Sequence, residues 1–182
     1  MVLPGVVPPV SEDPPIRSSQ DASEGRSYGG APRAFAAGAI LPPVSAENVE
    51  LVRRCFEAFA RGDFETFYEA HDPGIEWTTG SDEPDPQTYR GAEGMRRFTA
   101  DTAEAWANRF DGAVHFTDFI DLGDWVVAPW TARLEGKGSG AVVEVYETYA
   151  VRVEGDRIVR VIEYRTTDEA VEACRKRAGE LN

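Results

Sequence analysis

The chain has 182 residues, 42% of them hydrophobic, which suits one domain with a proper core and some excess sequence. Its net charge of −13 argues against non-specific nucleic-acid binding, which needs a basic surface, and against anionic membranes. Nothing approaches the roughly 18 uninterrupted apolar residues of a membrane span, and the start MVLPGVVPPVSEDPP lacks a basic n-region, so a cytoplasmic protein is expected.

Residues 1–44 hold most of the twelve prolines, with many Gly, Ser and Ala and no sustained apolar period. Such a segment buries too little surface to offset its ordering entropy, and a disordered tail is expected. Order begins at SAENVELVRRCFEAFARGD, with Ser45 as N-cap and Leu51, Val52, Cys55, Phe56 and Phe59 at helical spacing. Gly62 ends this helix as a C′ residue would. A shorter second helix follows, with Phe64, Phe67 and Tyr68 facing inward. The turn HDPG leads to a short strand IEWTT, and SDEPDPQ is an acidic loop. YRGAEG opens a third helix with Met95, Phe98, Thr102 and Trp106 on one side.

From Asp111 the period changes. VHFTDFIDL, DWVVAPWTARLEG, AVVEVYETYAVRVEG and DRIVRVIEYRT read as four successive strands, joined by the turn chemistry of an antiparallel meander. Asp168 is placed as the cap of a closing helix. The fold class is α+β: three N-terminal helices packed on a curved, mostly antiparallel sheet, then a C-terminal helix, all within residues 45–182.

Several strands are apolar on both faces, where a one-sided sheet in water would alternate. The helices carry stripes for one face only, so a homodimer through the outer sheet face is expected. The inner row is read as Val127, Thr131 and Arg133 from one strand, Val145, Glu147, Tyr149 and Val151 from the next, and Val161, Glu163 and Arg165 from the last. That row describes a pocket for a small apolar molecule, with an apolar floor and a polar mouth. Tyr68, Phe59, Trp77 and Trp106 are expected to line it. The alternative is a solvated sheet edge, since long Arg stems snorkel and the opposite register turns the Glu147/Glu163 row outward.

Four segments resemble the SnoaL-like branch of the nuclear transport factor 2 superfamily: ENVELVRRCFEAFARGDFETFYEAHDPGIEW, YRGAEGMRRF, FIDLGDWVV and GDRIVRVIEYRTTDEAVEA. The resemblance spans residues 45–178. It implies a cone-shaped α+β barrel, usually dimeric, that encloses an apolar cavity, and relatives that include ketosteroid isomerases and polyketide cyclases. The catalytic positions of the steroid isomerases fall near Cys55, Thr78 and Tyr149, all departures from that pattern. A cyclase-like acid would be Glu163 or Asp168, because Thr166 stands where close relatives often carry aspartate.

Two readings remain. One is a cofactor-independent isomerase or cyclase that moves a proton on a small apolar carbonyl compound. Its base would be Glu163 or Glu147, with Tyr149 donating to an enolate oxygen and Arg165 or Arg133 orienting the substrate. The other is a non-catalytic binder of an apolar metabolite. No metal is expected: His71 reads as a helix C-terminal cap, His115 is isolated on a strand, and Cys55 and Cys174 lack metal-ligand spacing.

Overall fold

The apolar stripe of the first helix, α1 (Ala46–Ala60), buries Val52, Cys55, Phe56 and Phe59 completely. The structure is a computed structural model that describes residues 46–80 and 86–180. The expected tail, the Ser45 cap and most of the acidic loop lie outside the described residues. Gly62 closes α1 at φ +74°: its N–H donates to Phe59 O at 3.1 Å, and the Asp63 N–H donates to Ala58 O at 2.9 Å. These are the paired bonds that a left-handed C′ residue allows. Gly62→Ala is expected to cost about 1 kcal/mol through that backbone conformation, read as a lower urea midpoint at unchanged slope.

Asp63 then caps α2 (Phe64–Glu69), accepting the Thr66 N–H at 3.2 Å. Strand β1 (His71–Thr78) starts earlier than IEWTT. The turn HDPG survives inside it as an irregularity, in which Asp72 Oδ1 accepts the Gly74 N–H at 2.7 Å. A short strand β2 (Thr88–Arg90) precedes α3 (Gly91–Ala105). The run VHFTDFIDL divides into β3 (Val114–Phe116) and β4 (Ile120–Asp121). Then come β5 (Trp125–Glu135), β6 (Val142–Glu154), β7 (Arg157–Tyr164) and α4 (Thr167–Glu180). Thr166, not Asp168, caps α4: its Oγ1 accepts the Glu169 N–H at 3.3 Å.

The sheet runs β2-β1-β7-β6-β5-β3, with β4 paired to β5. It is curved but open, not closed into a barrel. All pairs are antiparallel except β1 and β7, which run parallel with Trp77 opposite Val161. The meander expected from the sequence therefore receives β1 on its far side.

Residues directly opposite each other across paired strands share a face. On the inner face, Val126, Ala128, Trp130, Ala132 and Leu134 of β5 meet Val151, Tyr149, Glu147, Val145 and Val143 of β6. The inner row expected for β5 was thus one residue out of step, and Val127, Thr131 and Arg133 belong to the outer face. Physically, the run Trp125–Ala128 is apolar on both faces and offers no alternation to fix its register. On the outer face, Trp125, Val127 and Ala150 are buried against Ala170 and Cys174 of α4. The closing helix therefore covers part of the surface expected to need a partner, while Tyr146 stays 62% and Val142 49% exposed. Among the described residues no helix is long and apolar enough to cross a membrane.

Candidate functional site

The interior between the helices and the sheet is filled largely by aromatic rings. Trp77 packs against Phe98 with centroids 4.2 Å apart and rings tilted by 32°, meets Tyr149 edge-on at 5.2 Å, and Phe56 contacts both Trp77 and Tyr149. What stays open is a cavity of about 180 Å³ between the second half of α3, the segment after it and the inner face of β5 to β7. Liquid water occupies about 30 Å³ per molecule, so the space equals roughly six waters, below the usual range of drug-sized sites. A ligand that enters this form of the cavity is small.

Its polar residues come from several elements. Glu163 of β7 is 8% exposed, and its Oε1 accepts the Trp77 Nε1–H at 2.7 Å. Tyr149 of β6 lies directly opposite Glu163 in the register, so the two share the inner face. The Tyr149 hydroxyl oxygen accepts from Arg109 Nη2 at 3.3 Å. Arg109 is only 3% exposed, and its guanidinium lies between the rings of Phe59 and Trp130, at 4.9 and 4.8 Å from their centroids. Such stacking holds a cation away from water, at a benefit of about 0.5–2 kcal/mol per ring.

Two donors in this cluster are buried without partners: Arg109 Nη1 and Trp130 Nε1. Buried polar groups are nearly always satisfied, and each one left unmet costs about 1–3 kcal/mol. Both residues line the cavity, which also carries the carboxylates of Asp101, Glu147 and Glu163. Burial pushes the Tyr149 phenol well above its usual range; Arg109 opposes this, and Glu163 and Glu147 add to it. Tyr149 thus keeps its proton and remains a donor, polarised by the Arg109 N–H. At the rim the Tyr89 hydroxyl donates to Asp101 Oδ2 at 2.9 Å, and burial followed by Asp101 raises the Tyr89 phenol as well.

Of the residues expected at the site, Glu163, Tyr149, Glu147 and Trp106 do line the cavity. Trp77 and Phe59 are fully buried and stand behind it, the first holding Glu163 and the second supporting Arg109. Three placements are corrected. Arg133 is exposed on the outer face, opposite Glu144. Arg165 is exposed just past the end of β7, where the sheet no longer encloses it. Tyr68 faces a different groove, its hydroxyl 2.6 Å from Thr99 Oγ1.

The sequence did not single out Arg109, the one guanidinium among the described residues that lines the cavity; its signal was an arginine between Trp106 and Phe110 in an irregular segment. Trp130, Asp101 and Tyr89 likewise carried no signal that set them apart. Cys55 is fully buried, its thiol pushed far above the usual range by burial, as an inert core residue would be. His71 does cap a helix end, with Nδ1 2.6 Å from Phe67 O, and His115 is exposed. Among the described residues, no group of three or more His, Cys, Asp or Glu is placed to hold a metal.

Comparison with known proteins gives a consistent assignment. The SnoaL-like domain matches residues 52–161. An uncharacterised protein of Mycobacterium tuberculosis (strain ATCC 25618 / H37Rv) is 31% identical over 129 residues, which make up 69% of this chain and 94% of the relative. Among solved structures, a candidate SnoaL-like polyketide cyclase from Jannaschia sp. CCS1 superposes with a TM-score of 0.54 at 24% identity, covering 72% of this chain and 93% of its own. A protein with a ketosteroid isomerase-like fold from Catenulispora acidiphila, in complex with trimethylamine, gives 0.54 at 18% identity, covering 68% and 90%. At these identities the two structures establish likeness of fold alone.

Proposed function

The chain belongs to the SnoaL-like domain family, and from that premise together with the cavity we propose that it binds a small carbonyl compound and moves a proton on it without a cofactor. The observation that carries this reading is the placement of Glu163 and Tyr149 side by side on the inner face, with the buried Arg109 behind the phenol. A carbonyl oxygen seated against Tyr149 would satisfy the donor side of the cavity. Glu163 is the base: it takes a proton from the carbon next to the carbonyl. The C–H electron pair becomes the enolate double bond, and negative charge collects on the oxygen. Tyr149 donates to that oxygen, and the Arg109 charge stabilises it where water is scarce. On a simple ketone the proton returns to the same carbon and only exchange results. Where a double bond lies β,γ to the carbonyl, the dienolate takes the proton from Glu163 at its γ carbon, so the product is the conjugated isomer and nothing else is consumed.

The second reading, a binder that performs no chemistry, is favoured by the Trp77–Glu163 hydrogen bond, which occupies one carboxylate oxygen before any ligand arrives. One experiment separates the two. The protein is incubated in deuterium oxide with acetone, cyclopentanone, cyclohexanone and acetylacetone, and exchange next to the carbonyl is followed by NMR. Exchange well above the buffer rate on at least one compound is expected. Binding without exchange leaves only the binder, and neither binding nor exchange removes both readings.

The reading extends to assembly: the outer sheet face beyond α4, around the exposed Tyr146 and Val142, is proposed to join a second copy of the chain. Light scattering at micromolar concentration should then return twice the chain mass of 20.0 kDa. A monomeric mass would retire the dimer without touching the chemistry.

A further inference from the structure

Across α3 from the cavity lies a separate groove of about 290 Å³, formed by the end of α2, the start of β1 and the first turns of α3. Its volume is close to the lower end of ordinary ligand sites. Tyr68, Pro73, Ile75 and Met95 supply apolar walls, and His71 lines it at 6% exposure.

The tautomer of His71 follows from its partner. Nδ1 sits 2.6 Å from Phe67 O, and a carbonyl oxygen can only accept, so Nδ1 carries the hydrogen. Burial lowers the pKa of the ring to about 4, so at neutral pH Nε2 is a bare lone pair. That atom is buried and has no partner. Of the other polar groups at the groove, the Tyr68 hydroxyl pairs with Thr99 and Asp72 Oδ1 takes the Gly74 N–H, while Glu69 and Arg96 line it as well. The unmet atom at the groove is thus an acceptor, the opposite of the first cavity, where the unmet atoms are donors.

We propose that this groove is a second ligand site, for a small apolar molecule bearing one hydroxyl group, an alcohol or a phenol, whose O–H donates to His71 Nε2. The apolar body packs against Ile75 and Met95, and no bond is made or broken. The proposal stands apart from the function assigned to the first cavity.

The test is a titration of the ¹⁵N-labelled protein with p-cresol, toluene and 4-methylanisole, followed by the imidazole nitrogen shifts. p-Cresol is expected to bind at least about tenfold more tightly than 4-methylanisole, which has the same body but no O–H donor. It should also move the His71 Nε2 resonance. Ala92, exposed on α3 at the groove, offers a variant remote from the core. Ala92→Phe fills the space and should abolish p-cresol binding, whereas Tyr149→Phe, in the other cavity, should leave it unchanged. Equal affinity for all three probes, an unmoved His71 resonance, or full binding by Ala92→Phe would each overturn the proposal.

Discussion

Glu163→Gln is expected to slow proton exchange on a bound carbonyl compound by about 10²–10⁴-fold, the usual contribution of a positioned base, while the protein folds as before. The amide keeps the shape of the carboxylate, and its oxygen still accepts the Trp77 Nε1–H, so the 2.7 Å bond that anchors the side chain survives. What disappears is the proton-accepting group. Because Tyr149, Arg109 and Trp130 still face the substrate oxygen, ligand affinity should change little, and the loss should appear in kcat and not in KM. Glu147→Gln is the companion variant, since Glu147 lines the same cavity. Full activity in Glu163→Gln together with a collapse in Glu147→Gln would move the base one strand across. Full activity in both would remove carboxylate catalysis from this site.

The second large effect is thermodynamic. His71 is buried in neutral form, and its pKa is lowered from 6.5 to about 4, chiefly by burial, with the hydrogen bond to Phe67 O opposing. A depressed pKa means that the unfolded chain binds the proton first. The stability linked to His71 is therefore complete above pH 6.5 and is lost as the pH falls from 6.5 towards 4. At 1.36 kcal/mol per unit, the loss over this window is about 3 kcal/mol, a large share of the stability of a single domain. Glu69, Asp72 and Arg96 line the same groove, and carboxylates such as that of Asp63, lowered by its Thr66 hydrogen bonds, also titrate in acid. A comparison with His71→Gln removes these shared contributions. Between pH 7.5 and 4.5 the native sequence should lose about 2–3 kcal/mol more urea stability than the variant. Parallel losses would mean that the histidine is not what titrates.

Elements with a strong period were legible. The stripe Val52, Cys55, Phe56, Phe59 has one reading, and Gly62 after it has one use. Periodicity tells which side of an element is buried but not what it is buried against. Tyr68 does turn inward from α2, yet into the groove beside His71 and not into the cavity. In β5 the run Trp125–Ala128 is apolar on both sides, so the register stayed open, and Arg133 was assigned to the wrong face. Arg109 sits in a segment with no period at all. Its burial is created by Phe59 and Trp130, 50 residues before it and 21 after it in sequence, and no local pattern encodes that meeting. The β1–β7 pairing is hidden in the same way, because its partners come from opposite ends of the described chain.

That pairing has a consequence during synthesis. The indole that anchors Glu163 emerges from the ribosome 86 residues ahead of it. At a few to some twenty residues per second, Trp77 waits on the order of 4–17 s for the carboxylate, and the seam between β1 and β7 closes only once the last strand is out. A nascent chain arrested before Arg157 can hold the first three helices and the β5–β6 hairpin but not the Trp77–Glu163 contact, so the proposed site is complete only with the final strand.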